Sequence, residues 1–380
     1  MTDPIYLDHN ATTPVAPEVF AALAPWLQSH FGNPSSSHVY GRRAAQAVAQ
    51  ARAQVAGLIG AQPSEIVLTG CATEANNLAL LGLARAADSR MRHLVISSIE
   101  HPAVAAPAQA LRDQGWEVTV VGVDEFGRVS AAEVEQALRP DTALVSVMHA
   151  NNEVGTLQPI AEIAALTRPR GILLHTDAAQ SVGKLAVNVD ALGVDLLTIA
   201  GHKFGAPKGI GALYVRAGTP ILHLLHGADQ ERGLRPGTEN VALIVALGAA
   251  CALAAAELPS LSERLRTLRD RLHQRLVAGA PALQLNGHRE HRLPNTLHVS
   301  FPGVTGRALL ADAADTVAAS LGSACHSEQD AVSGVLAAMG IDAARASGAV
   351  RLSVGRTTST DDVERAAAAL VASWARLNGH

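Results

Sequence analysis

The chain has 380 residues, 48% of them hydrophobic and only 17% charged, so it can bury a sizeable core and is not a disordered chain. Lys plus Arg is 30 against 34 for Asp plus Glu, a formal charge of −4 with no basic run, and aromatics make up 3%; both argue against a nucleic-acid partner. The opening M-T-D-P-I-Y-L-D-H-N carries no basic or apolar signal region, and Cys71, Cys251 and Cys325 are too scattered for a disulfide framework. A reducing cytoplasm is therefore the expected compartment.

Taken in chain order, strands are expected at 65–69 (E-I-V-L-T), 93–98, 117–121, 143–148, 172–176, 196–200 and 211–215. Several lack period-two alternation, as strands covered on both faces should. Helical stretches at 131–138 and 160–166 lie between them, which argues for an α/β layered domain around a mostly parallel sheet. The Ala-rich run at 241–256 comes closest to a membrane span, but small residues dominate it and a charged helical stretch follows. We read it as a buried helix. After Pro259 a helix over 261–278, strands near 296–301 and 350–354, and a helix from about 360 suggest a second, smaller α/β domain.

Ligands of such sheets bind at the carboxyl ends of the strands. Thr73, His101, Asn152, Asp177 with Gln180, and His202 with Lys203 each follow a strand end, so five ends converge on one rim. A lysine desolvated there becomes a nucleophilic amine able to form a Schiff base, whereas Lys184 and Lys208 read as ordinary surface lysines. Asp177, one strand earlier, suits a pyridoxal ring nitrogen, although an Asp before A-A-Q is also a plain helix cap. G-C-A-T-E (70–74), between a strand and a helix, suits a phosphate, and T-x-x-N is also ordinary capping. His101 precedes a proline in what reads as a stiff loop, placed to stack on a ring or to serve as a structural histidine. Cys325, in G-S-A-C-H-S-E-Q-D, sits in a reachable polar context that favours a reactive thiol, with His326 beside it; Cys251 reads as inert core. Zinc spacings and nucleotide loops are missing from the sequence.

These residues fall in a larger pattern. Y-L-D-H-N-A-T-T-P, F-G-N-P-S-S, A-T-E-A-N-N, M-H-A-N-N-E-V-G, H-T-D-A-A-Q-S-V-G-K, G-H-K, E-R-G-L-R-P-G-T-E-N and G-S-A-C together resemble the cysteine desulfurases, nearly end to end. These are fold-type-I pyridoxal phosphate enzymes of the class V aminotransferase group. The resemblance implies a large cofactor-binding domain over 14–258 with a mostly parallel seven-stranded sheet. It also implies a small α/β domain over 1–13 and 259–380 that carries the cysteine loop. By the same resemblance Lys203 holds the cofactor, Asp177 pairs with the pyridine nitrogen, and Gln180 and Asn152 approach the ring hydroxyl. His101 would stack on the ring, and Thr73 and His202 would hold the phosphate. Thr238 would reach the partner subunit's phosphate in a homodimer. Asn33 and Arg351 would grip the substrate carboxylate, and Cys325 would carry sulfur away from L-cysteine as a persulfide, towards an acceptor protein.

The departures are Ala200 where serine is common, Cys71 where glycine is usual, and Ala228 and Asp229 in place of glycines before E-R-G. L-T-I-A-G-H-K-F, R-L-P-N-T and A-C-H-S look more like the selenocysteine lyases, which leaves L-selenocysteine open as substrate. A pyridoxal-dependent β-lyase or aminotransferase with Cys325 as bystander, and a scaffold that has lost its cofactor, are further alternatives.

Overall fold

The computed structural model of the chain describes residues 3–322 and 333–379; Cys325 and His326 lie outside them. Strand β1 (Ile5–Tyr6) is followed by β2 (Ile66–Thr69), β3 (His93–Ser97), β4 (Glu117–Val121), β5 (Thr142–Ser146), β6 (Leu173–Asp177), β7 (Leu196–Ala200) and β8 (Gly211–Val215). The last four are β9 (Gln284–Asn286), β10 (Thr296–Ser300), β11 (Val317–Ala318) and β12 (Ala349–Ser353). Strands β2 to β8 form one seven-stranded sheet in the order β2-β8-β7-β6-β5-β3-β4. The pairs from β4 across to β7 are parallel, and β8 is antiparallel to both of its neighbours.

Residues of one strand alternate between two cores, which explains the unbroken apolar runs. Val95, Val145, Leu174 and Leu197 pack on one face of the sheet, and Leu94, Leu144 and Leu196 on the other. Side chains pair with ladder groups on the outer edge of strand β2. Glu231 Oε2 accepts from Leu68 N at 2.9 Å, and Arg52 Nη1 donates to Ile66 O at 2.8 Å, so side chains finish the edge. Arg52 and Glu231 also form a two-bond ion pair, and Glu231 and Arg232 take left-handed φ values of 50° and 58° to reach it.

A second core gathers Leu7, Leu297, Val299, Val350 and Leu370 around the antiparallel sheet β12-β10-β9. The N-terminal segment belongs to it: β1 pairs with β11, and Asp8 bridges to Ser353. One helix, Val241–Gly279, serves both cores. Ile244, Leu247 and Cys251 face the large core, and Leu265, Leu268, Leu272 and Leu276 face the small one, a helical spacing on each side. By length and composition this helix could cross a membrane. Its apolar stripe instead packs on the helices Pro17–Gln28 and Val39–Ile59.

The helix also differs from expectation, since no break occurs at Pro259. A proline removes one backbone hydrogen bond, a cost of about 3 kcal/mol. Burial of each large side chain on either flank contributes roughly 1.5–3 kcal/mol, so packing on two cores overrides the proline. Strands β9, β1 and β11 were not expected; at two or three residues they are too short to leave a pattern.

Candidate active site

Strands β6 and β7 are parallel neighbours with Asp177 opposite Thr198. Their carboxyl ends therefore set Asp177 beside the turn Gly201–Lys203. The amine of Lys203 donates to the carbonyls of Asn10 (2.6 Å) and Ala11 (2.9 Å). Burial, and then the charge of Arg351, lower its pKa from 10.5 to about 8, against the opposing pull of Asp177 and Asp8. The neutral, nucleophilic amine is thus far more populated near neutral pH than in an ordinary lysine, although the protonated form still predominates there.

Asp177 is not a helix cap, since the strand runs into a turn and no helix begins there; its carboxylate instead closes that turn and faces the site. Its Oδ1 accepts from Ala179 N at 2.9 Å, and its Oδ2 accepts from Asn76 Nδ2 at 2.7 Å. His101 is not in a loop but is the N-cap of the helix Pro102–Asp113, with proline at the first helical position. Its Nδ1 accepts from Ala103 N at 3.1 Å, so in the neutral ring Nε2 carries the proton. Partial desolvation of this solvent-exposed ring, with the charge of Lys203, lowers the pKa of His101 against the opposing pull of Asp177. Behind them lies Glu100. Burial pushes its pKa to about 8, and Ser97 Oγ (2.5 Å) and Met148 N (2.9 Å) both donate to its Oε1.

The turn at 70–74 forms as a helix start whose N-cap is Cys71, its Sγ accepting from Glu74 N at 3.4 Å. Strand β8 begins directly beneath it: a Cβ on Gly211 would lie 2.8 Å from Cys71 C and 3.1 Å from Ala72 N, so only glycine fits. Thr73 follows on the first turn, exposed. His202 Nδ1 lies 3.1 Å from Thr12 Oγ1, and burial with the charge of Lys203 lowers its pKa to about 4, which keeps the ring neutral.

Lys184 corrects an expectation. It is buried, not a surface lysine, and its Nζ donates to Gln180 Oε1 (2.8 Å) and Asn10 Oδ1 (3.1 Å). Burial and the charges of Lys203 and Arg351 lower its pKa well below the ordinary value. With its oxygen engaged, the Gln180 amide turns its NH₂ to Asn10 O at 3.0 Å. Asn10 binds the rest of this wall: its N donates to Ser353 Oγ (2.9 Å) and its Nδ2 to Thr296 Oγ1 (2.8 Å), while its Oδ1 also accepts from Asn295 (3.0 Å). Sequence reading missed Asn10, Asn76, Lys184 and Asp8. Their only signal was membership in the quoted motifs.

Arg351 reaches the site from β12, buried, with an ion pair to Asp8 at 2.7 Å and a bond to the backbone oxygen of Asn152 at 2.9 Å. Asn33 and Thr238 are exposed, and among the described residues neither makes a hydrogen bond to Lys203 or Arg351. Thr238 follows a loop held to the Gly70 turn by Arg235 Nε donating to Glu74 Oε1 at 2.9 Å. Cys325 lies outside the described residues. An amine, a carboxylate, an imidazole and a helix start around one rim fit pyridoxal phosphate in donor chemistry: an imine former, a ring-nitrogen partner, a ring-face partner and backbone N–H groups for the phosphate.

Comparison with known proteins gives the same result. The sequence matches the family described as Aminotransferase class-V over residues 5–366. It is 44% identical to the cysteine desulfurase IscS of Dictyoglomus turgidum, covering 94% of this chain and 91% of that one. Among solved structures, a NifS-like protein superimposes with a TM-score of 0.91 at 36% identity, covering 97% of this chain and 98% of that one. SspA, solved in complex with cysteine, matches with a TM-score of 0.83 at 38% identity over 92% of this chain and 98% of its own.

Proposed function

This chain belongs to the class V aminotransferases, in their pyridoxal phosphate-dependent cysteine desulfurase branch, and from that premise we propose that it takes sulfur from L-cysteine and leaves L-alanine. The observation that carries the reading is the amine of Lys203, held by the carbonyls of Asn10 and Ala11 at the end of β7, next to the end of β6 that bears Asp177. Bound pyridoxal phosphate supplies an electron sink for charge that develops on the substrate carbons. Lys203 would join it, Asp177 would face the ring nitrogen, Gln180 and Asn152 the ring hydroxyl, and Thr73 and His202 the phosphate. His101, protonated on Nε2, would cover the ring and move a proton. Arg351, with Asn33, would take the α-carboxylate. The thiolate of Cys325 attacks the substrate sulfur: an S–S bond forms, the Cβ–S bond breaks, and Cβ keeps the electron pair and takes a proton.

A second copy of the chain completes the site in this reading, since Thr238 is exposed and is assigned to the partner subunit's phosphate. Phe31, 74% exposed and stacked on Tyr40, together with exposed Phe20 and Leu27, offers that copy an apolar face. The division into domains over 14–258 and over 1–13 with 259–380, the cytoplasmic compartment and a sulfur-acceptor protein are part of the same proposal. A selenocysteine lyase is the second reading, favoured by Ala200 at the end of β7 and by His326 after the cysteine. The test measures alanine and protein-bound persulfide from L-cysteine and L-selenocysteine, in the parent and in Cys325→Ser. Persulfide should vanish in the variant, and alanine from L-cysteine should fall by roughly 10²-fold or more, the scale of losing a nucleophile. Undiminished release of free sulfide by the variant would establish a β-lyase instead.

A further inference from the structure

Arg351 has little freedom. Its side chain is 5% exposed, and four acceptors already engage its terminal nitrogens. Nη1 donates to Asn152 O (2.9 Å) and Gly322 O (3.2 Å), and Nη2 donates to Asp8 Oδ1 (2.7 Å) and Ser320 Oγ (2.9 Å). Ser320 Oγ in turn lies 3.1 Å from Asp8 Oδ1. Only Nε is buried without an acceptor. A carboxylate binds a guanidinium best through two parallel N–H donors, and either edge of the fork includes an Nη group that is already taken. An incoming carboxylate must therefore displace something. Three of the four acceptors are neutral, and Asp8 alone carries charge. Asp8 is also the more accessible member of the ion pair, with 19% of its side chain exposed, so it can turn to solvent while Arg351 stays in place.

We infer that Asp8 is a resident carboxylate of Arg351, which the substrate's α-carboxylate replaces on binding. The inference rests on Arg351 being the carboxylate anchor. The exchange is one charge for another. The guanidinium is never left buried and unpaired, a state that costs several kcal/mol. It also sets specificity: an amine without a carboxylate cannot replace Asp8, and every carboxylate ligand binds against an internal competitor.

The test is calorimetry of the holoenzyme with L-alanine and with ethylamine, which is alanine without its carboxylate. Asp8→Asn removes the competitor and should bind L-alanine about 3- to 10-fold more tightly, the scale of one partly exposed ion pair, with the gain confined to L-alanine. Equal or weaker L-alanine binding by this variant would overturn the exchange and make Asp8 a mere support for Arg351. Because Asp8→Asn can unfold, a crystal structure of the unaltered protein with L-alanine bound gives a second measurement. The exchange requires the Asp8–Nη2 contact to be gone, and its survival at hydrogen-bond distance overturns the inference. Arg351→Gln separates the two levels. If it leaves L-alanine affinity unchanged, the anchor reading itself fails; if it weakens L-alanine and Asp8→Asn does not strengthen it, only the exchange fails.

Discussion

The two walls of the site are built in different ways. On one, Asp177, His101 and the Lys203 turn hang from strand ends of a sheet packed on both faces, and each arrives by continuing its own strand. On the other, Asp8, Asn10, Asn295 and Arg351 come from parts of the chain up to 343 residues apart and meet through side-chain hydrogen bonds. The first wall carries the reactive groups and takes its geometry from the core. The second carries the positioning groups and, through Asn10, ties the small core to the large one. Residues that react should therefore be removable without loss of fold, and residues that position should not.

The largest effect expected from that contrast is Lys203→Ala. Activity should fall by at least about 10³-fold, since both the cofactor's attachment point and a base are lost. Thermal stability of the cofactor-free protein at neutral pH should not fall by more than about 1 kcal/mol, because losing the bonds to Asn10 O and Ala11 O is offset by relief of the desolvation that lowers the amine's pKa. A collapse in stability would show that the first wall is not autonomous. Asn10→Ala should behave in the opposite sense. It removes the Oδ1 acceptor shared by Lys184 and Asn295, which keep Gln180 Oε1 and Val354 O, and the Nδ2 bond to Thr296 Oγ1, a loss of roughly 1–3 kcal/mol in denaturant unfolding. An Asn10→Ala protein as stable as the parent would remove the basis for the contrast.

A smaller effect sharpens the comparison through pH. Uptake of pyridoxal phosphate by the cofactor-free protein should accelerate as pH rises towards about 8 and level off above it, well below the midpoint of an ordinary lysine. The folded pKa of Lys203 lies below its unfolded value, so its contribution to stability is complete above about 10.5 and is lost as pH falls through about 8. Stopped-flow absorbance reads the first effect and denaturant titration across that window the second. A midpoint near 10 would mean that the amine is not desolvated.

The same contrast explains what the sequence made legible. All seven strands of the large sheet are visible as short runs rich in Val, Ile and Leu between turn residues, and the rim residues follow five of them. Lys184 was misplaced on the surface because its partners, at positions 10 and 180, are amides, and no local pattern announces an amide acceptor for a lysine. Asp8 and Asn10 have partners in β12 and next to β10, so only the tertiary fold reveals them. Pro259 signalled a helix end that packing on two cores overrode.

Borohydride reduction of the freshly purified holoenzyme, followed by peptide mass mapping, tests the central claim most directly. The peptide bearing Lys203 should gain the mass of one reduced pyridoxyl phosphate, while those bearing Lys184 and Lys208 stay unmodified. An unmodified Lys203 peptide, or the label on either other lysine, would contradict the assignment of this site.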